Sequence, residues 1–258
     1  MLFRSRFLLE ESTTASGKLR RSQSLTWSQI FTDLAHYTSK LRNQPAPHQS
    51  TSYRAGKPGA NEVESEPEET LMLESYLRLI TRLCAGSEEA RTFILKHPTF
   101  HLTGLLYELA SSRIESRLRA CAFTTLRSLL SQKSKEINDL TWMSLDQWIS
   151  GGNSAMPKVP LTMSTSASIT SGIFEEISTG FEEPNSFIQF LTALLTPVEP
   201  SMGLNDDLPF PENLGSSKRM PGIDTYIDFV LGQIFVGKSR TAEIISQPQQ
   251  RLLSLTCL

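Results

Sequence analysis

The sequence predicts an all-α fold, a solenoid of stacked antiparallel helix pairs similar to HEAT and armadillo repeats, with long disordered loops. Three observations support this prediction. Apolar residues recur at spacings of three and four, helix-stop signals separate these stretches by very short turns, and the sequence carries no catalytic motif. Helical hairpins that stack in this way present extended surfaces, which bind other proteins more often than they perform chemistry.

The stretch 71–130 carries the clearest succession of helices. Six residues of its first helix share one face: Leu73, Tyr76, Leu77, Ile80, Leu83 and Cys84. Ser87 is placed to cap a second helix, which must end near Pro98, since the residue before a proline disfavours helical torsions. Two more helical segments follow after turns of a few residues, 100–110 and 114–131.

Helical patterns also cover the remainder of the chain. They occupy five further regions, 24–41, 135–149, 173–179, 184–195 and 222–236. The last of these carries six apolar residues at helical spacing: Ile223, Tyr226, Ile227, Val230, Leu231 and Ile234. Burying one such side chain contributes about 1.5–3 kcal/mol, whereas ordering each backbone residue costs about 1–2 kcal/mol. Such a helix must therefore pack between neighbours.

Charge and composition divide the chain into two parts. Residues 1–23 form a predicted flexible basic lead, and 24–258 form the solenoid fragment. Residues 1–60 hold nine Lys and Arg against three Asp and Glu, and the rest of the chain is acidic. Without interleaved aromatic residues, these basic residues do not predict a nucleic-acid site. Three segments rich in Pro, Gly, Ser or Thr predict exposed loops, at about 43–69, 151–170 and 197–221.

The cysteines and the apolar runs indicate the compartment. The three cysteines are an odd number and lie far apart, and Cys84 and Cys121 fall on apolar helix faces. Free buried thiols in a reducing compartment are therefore predicted. No apolar run approaches the roughly 18 residues of a membrane span. We expect an intracellular soluble protein.

Four blocks of sequence carry a resemblance to a known family. They are 74–84, 116–123, 144–152 and 208–215, the last running on to 219–224 and 226–232. Their order and spacing resemble the nucleoporin 205 family, called nucleoporin 192 in fungi, over 27–258. The resemblance implies an internal fragment of a large α-solenoid scaffold in the inner ring of the nuclear pore complex, at the nuclear envelope.

The resemblance also implies partners and a role. Members hold segments of linker nucleoporins and other inner-ring scaffold proteins, and they support transport of protein and mRNA. The resemblance implies no enzyme activity, no cofactor, no metal, no direct contact with nucleic acid and no membrane span. The alternative is a soluble HEAT-type adaptor or regulatory subunit in the cytosol. The apolar residues at the end of the chain predict that it is a fragment of a longer solenoid. The alternative is a short gene model.

Two tryptophans and one serine are the candidate functional residues. Trp142 and Trp148 are six residues apart and cannot share one helix face, so at least one is expected outside the core, where it anchors a partner segment. The alternative is that both rings pack between neighbouring hairpins. Ser24 follows Arg20 and Arg21, a pattern that a basophilic kinase recognises, and the alternative is a solvated basic tail in which the arginines occur by chance.

His97 and His101 have a spacing that can bind zinc from one helix face. Pro98 interrupts the helix there, and no third ligand lies nearby, whereas structural zinc requires four ligands. The sequence therefore predicts no metal site and no catalytic residue.

Overall fold

The computed structural model describes residues 26–42, 67–97, 99–112, 114–150, 173–178, 180–198, 208–215, 222–237, 252–253 and 255–257. Every regular element among these residues is helical, which confirms the all-α prediction. The main helices are α1 (Trp27–Arg42), α2 (Pro67–Gly86), α3 (Glu88–Leu95), α4 (Leu102–Ser111), α5 (Ser116–Leu129), α6 (Lys135–Ile149), α7 (Glu182–Leu195) and α8 (Asp224–Ile227). The predicted basic lead 1–23, Ser24 and the predicted loop 151–170 lie outside the described residues.

Three helices lie side by side in one layer, with α5 packed between α2 and α7. Thr81 on α2 contacts Thr125 on α5, their Oγ1 atoms 2.9 Å apart, and Glu74 lies opposite Arg117 about two turns earlier on both helices. The pairing advances in the same direction along both helices, so α2 and α5 are parallel. Contacts of Arg119 with Glu183 and of Arg127 with Gln189 show that α5 and α7 are parallel as well.

A second layer covers one side of these three helices. α4 packs on α5, α1 packs on α4, and α6 contacts both α4 and α7. Short connections after α4 and α5, the second a turn at 130–134, return the chain from one layer to the other. Parallel helices in one layer, joined through helices of the other, are the arrangement of a solenoid of helix pairs.

The core between the two layers is a chain of aromatic rings. Neighbouring centroids lie 4.5–6.0 Å apart along the series Tyr107, Trp148, Phe123, Phe187, Phe229 and Phe174. These distances suit offset or edge-to-face contacts between rings. All six side chains are buried, so the aromatic residues join α4, α5, α6, α7 and the last helix into one core.

The start of α3 follows from its sequence. Ser87 adopts an extended backbone, and its Oγ accepts a hydrogen bond from the Ala90 N–H at 3.2 Å, as predicted. Glu88 and Glu89 lie in the first turn, where carboxylates interact favourably with the helix dipole. The helix ends at Leu95, before Pro98.

Replacing Ser87 by Ala removes this cap, and we expect it to reduce the free energy of unfolding by about 1 kcal/mol. Urea unfolding followed by circular dichroism measures the change. Ser75→Ala is a matched control, because the Ser75 hydroxyl is exposed and bonds only within α2, to the Leu71 carbonyl. An equal loss in both variants would contradict a specific role for the cap.

The last helix differs from its predicted geometry. α8 continues as a π-helical segment, Asp228–Val236, in which hydrogen bonds span five residues. This winding brings Phe229 and Ile234 to the same buried face. Ile227 and Leu231, which the α-helical spacing places in the core, are each 43% exposed. The prediction of a helix holds, but its assignment of these two side chains to the core is wrong.

Parts of two predicted loops are packed in the structure. Residues 67–69 already belong to α2. Residues 208–215 form turns that lie on α6, and we call them the strap. Leu214 of the strap is fully buried, and its carbonyl accepts a hydrogen bond from the Gly222 N–H at 2.7 Å. Gly215 and Gly222 have φ angles of 77° and 87°, a conformation that favours glycine. The sequence places these strap residues in an exposed loop, and the structure instead buries Leu214 and packs Phe210 against the core, while Leu208 stays exposed.

No helix among the described residues is both long enough and apolar enough to cross a lipid bilayer.

Candidate partner-binding region

Trp148 lies near the end of α6 and joins three helices. Its ring stacks on Tyr107 of α4, with centroids 5.4 Å apart, and meets Phe123 of α5 edge-on at 6.0 Å. The indole Nε1 donates a hydrogen bond to the Oγ of Ser111 at the end of α4. Only 1% of the residue is exposed. The indole therefore fills the junction of α4, α5 and α6.

Trp142 lies on the opposite side of α6 and holds the strap. Its Nε1 donates to the Pro209 carbonyl oxygen at 3.0 Å, and the Asn138 amide donates to the same oxygen at 3.0 Å. The ring meets Tyr226 of α8 edge-on at 5.3 Å. The Tyr226 hydroxyl in turn bonds the Asp146 carboxylate at 3.3 Å. Trp142 thus joins α6, the strap and α8, with no exposed surface.

The expectation that one of these indoles lies outside the core is wrong, and the alternative, in which both pack between neighbours, holds. Two residues six apart on a helix can both be buried when the helix is covered on two sides. α4 and α5 cover the Trp148 side, and the strap and α8 cover the Trp142 side. A direct role of Trp142 or Trp148 in partner binding stays a prediction, without an exposed indole to support it.

Aromatic rings surround the imidazole of His97. Its ring stacks on Phe100 at 4.4 Å and meets Phe93 edge-on at 5.3 Å, and Phe31 of α1 lies beyond at 6.3 Å. The imidazole Nδ1 accepts a hydrogen bond from the Thr99 N–H. His97 therefore helps to pack α1 against the turn between α3 and α4. Across the described residues, no three His, Cys, Asp or Glu side chains gather as metal ligands.

Buried cations, which the sequence analysis missed, satisfy the ends of several helices. Arg119 of α5 donates from Nε to the Ala110 carbonyl at 2.9 Å and from Nη2 to the Ser112 carbonyl at 3.0 Å, both at the end of α4. Its Nη1 donates to Glu183 Oε1 on α7 at 3.1 Å. Since carbonyls at a helix end carry partial negative charge, a buried guanidinium suits this position.

Two more cations act in the same way. Arg91 of α3 donates to the Cys84 carbonyl near the end of α2 and to Gln132 Oε1 in the turn after α5. Lys133 Nζ donates to the carbonyls of Ala193 and Leu194 at the end of α7, at 2.5 and 2.7 Å. Burial lowers the pKa of Lys133 to about 8. Each cation ties one helix end to a neighbouring helix or turn.

Burial also changes the pKa of the Glu183 carboxyl. It raises the pKa of this carboxyl, and the nearby Arg119 guanidinium opposes part of the rise. The ion pair therefore keeps a charge inside the fold that burial alone disfavours.

The three cysteines are free, and Cys84 is buried in the core, as predicted. Burial raises the pKa of the Cys84 thiol to about 12. Because the thiolate is the reactive form, we expect Ellman's reagent to modify Cys84 slowly in the folded chain at neutral pH and rapidly after unfolding in guanidinium. The difference in absorbance between the chain and its Cys84→Ala variant assigns the signal to this thiol. Rapid modification of Cys84 in the folded chain would contradict its burial.

A comparison with protein families matches residues 5–258 to the model described as "Nuclear pore complex scaffold, nucleoporins 186/192/205". The chain belongs to this family. The match begins at residue 5, so it includes most of the basic lead, which the resemblance left uncovered. The family is a structural scaffold of nuclear pores and not a family of enzymes, as the resemblance implies.

Three similar proteins come from three different organisms. Nucleoporin NUP192 of Chaetomium thermophilum is 44% identical over 98% of the chain, which corresponds to 15% of that protein. Nucleoporin nup186 of Schizosaccharomyces pombe is 26% identical over 90% of the chain and 15% of its own length. Nuclear pore complex protein Nup205 of Homo sapiens is 26% identical over 82% of the chain and 10% of its own length. The chain thus spans a small part of these nucleoporins.

Proposed function

We propose that this chain is a structural element of the nuclear pore complex scaffold, located at the nuclear envelope. The observation that carries the proposal is the family match, which extends over nearly the whole chain. The two-layer helical array supports it, because a continuous aromatic core and buried helix-end contacts hold the helices in fixed relative positions. A scaffold requires such fixed geometry more than it requires a reactive site.

The finer part of the proposal concerns position and partners. We place the chain in the inner ring, where it binds segments of linker nucleoporins and other scaffold nucleoporins and thereby supports the transport of protein and mRNA. The stacked helices offer long outer faces for such segments, as solenoids of helix pairs do. The chemistry needs no cofactor, since holding a partner depends on surface shape and charge.

Two measurements test this function. The protein that carries this chain, labelled with a fluorescent tag, should give a rim of fluorescence at the nuclear envelope, and it should capture linker nucleoporins in a pull-down. The free tag, expressed alone, is the control for both. Diffuse cytosolic fluorescence without captured nucleoporins would contradict the scaffold function and favour the HEAT-type adaptor.

A further inference from the structure

One outer surface of the α2–α5–α7 layer is rich in arginine. Four residues define this surface, which we call the arginine face: Arg78, Arg82, Arg117 and Arg127. All four are exposed, and the side chains of Arg78 and Arg117 are exposed by 60% and 55%. Two of the four lie on α2 and two on α5, so the face spans two parallel helices, with Arg117 on the α2 side of α5 and Arg127 on its α7 side.

The register of the two helices brings these arginines together. Glu74 Oε1 forms an ion pair with Arg78 on its own helix. The same oxygen forms an ion pair with Arg117 across the groove between α2 and α5 and accepts a hydrogen bond from its Nε. Further along, the Thr81–Thr125 contact brings the turn of α2 that carries Arg82 level with the turn of α5 that carries Arg127, whose side chain lies toward Gln189 of α7. The arginine face therefore extends over about three helical turns of the outer surface.

The positive charge of this face is only partly neutralised. Glu74 is one carboxylate shared by two guanidinium groups, and its own side chain is only 7% exposed. Arg127 bonds the neutral amide of Gln189, and Arg82 forms no ion pair with any described residue. Four cations and one anion leave an excess of three positive charges on the outer surface of α2 and α5.

The surface between the arginines suits an extended chain. Three small, half-buried side chains lie among the arginines along α2 and α5, namely Thr81, Cys121 and Thr124. The Thr124 hydroxyl bonds the Ala120 carbonyl of its own helix, so this side chain stays close to the helix surface. A backbone can lie close to such a surface while its side chains reach the guanidinium groups on both sides.

Carboxylates at one edge of the face limit the length of an anionic ligand. The amino-terminal ends of the three parallel helices lie at this edge and carry exposed carboxylates, at Glu68, Glu115 and Glu182. A long polyanion such as RNA would pass over these carboxylates, and like charges repel. A short acidic segment can bind the arginines without reaching this edge.

We infer that the arginine face binds a short acidic segment of a partner protein, one rich in glutamate, aspartate or phosphorylated serine. This inference rests on the proposed scaffold function, and it adds the chemistry of one partner segment and its position on the chain. Arginine forms paired hydrogen bonds with carboxylate and phosphate groups, so the recognition is directional as well as electrostatic.

Fluorescence anisotropy with a labelled peptide of alternating glutamate and serine tests the inference. We expect the chain to bind this peptide at low salt and to bind the matched glutamine–serine peptide at least about tenfold more weakly. The double variant Arg82→Glu/Arg127→Glu should lose at least about tenfold in affinity for the acidic peptide. The matched control, Lys96→Glu/Lys135→Glu, makes the same change in net charge at exposed positions outside the face and should bind nearly as the unaltered chain does.

Several outcomes would overturn the inference. These are equal affinity of the two double variants, no binding of the acidic peptide by the unaltered chain, or tighter binding of an oligo-uridine RNA of equal charge. A pull-down of nucleoporins with the same variants separates this inference from the scaffold function. If the unaltered chain captures nucleoporins and Arg82→Glu/Arg127→Glu captures them equally, the site is wrong and the scaffold function stands. If the unaltered chain captures none, the scaffold function itself fails.

Discussion

Replacing Trp148 by Ala should unfold the chain at a markedly lower temperature. The indole packs on Tyr107 and Phe123, and its truncation leaves a cavity at the junction of three helices. Such substitutions cost about 3–5 kcal/mol, which corresponds to a fall in melting temperature on the order of 10 °C for a chain of this size. Differential scanning calorimetry measures the change.

Met143→Ala is the matched control for this substitution. Met143 lies on α6 as well, but it is exposed, so we expect a change within about 0.5 kcal/mol. Trp148→Phe keeps one aromatic ring at this position but removes the donor to Ser111 and part of the buried ring volume, so its effect should fall between the two. If Trp148→Ala left the melting temperature unchanged and weakened the binding of a partner segment, Trp148 would be a binding residue and not a core residue.

Replacing Arg119 by Met should have a comparably large effect for an electrostatic reason. The substitution leaves Glu183 buried without its cation and leaves the Ala110 and Ser112 carbonyls without their donor. Breaking a buried pair by removing one partner costs about 3–5 kcal/mol. Chemical unfolding measures the loss, with Arg78→Met, an exposed arginine, as the control.

The loss in Arg119→Met should depend on pH. Burial already raises the pKa of Glu183, and removing Arg119 removes the group that opposes this rise. A carboxyl with a raised pKa in the folded state binds its proton more tightly there than in the unfolded chain, so stability falls as pH rises above about 4.3, the unfolded value. The deficit relative to the unaltered chain should therefore be larger at neutral pH than near pH 4. The double variant Arg119→Met/Glu183→Met, without a buried charge, should lose this pH dependence and recover part of the stability. A pH-independent deficit in the single variant would contradict the role of the ion pair.

The sequence predicts the core of α2 well. Leu73, Leu77, Ile80 and Cys84 follow the helical period, and all four are buried. Periodicity succeeds here because α2 is a regular α-helix whose apolar stripe faces a single side. The same argument fails for Ile227 and Leu231, since the π-helical winding changes which residues share a face.

The candidate region shows a second limit of periodicity. Trp142 and Trp148 lie on different faces of α6, as their spacing predicts. Their burial, however, depends on what covers each face, and the strap that covers Trp142 comes from a segment about seventy residues away in sequence. Arg119 was missed for a related reason. Its partners are the end of α4 and a carboxylate on α7, and no local pattern indicates that an arginine within a helix will meet them.

The parallel orientation of α2, α5 and α7 has an electrical consequence. Each helix carries a dipole, positive at its amino end, and parallel dipoles in one layer add together. The exposed carboxylates at the amino ends of these helices reduce the field near that edge of the layer. A charged neighbour that approaches the layer should consequently turn toward a preferred orientation while it is still several ångströms away, before any side chain makes contact.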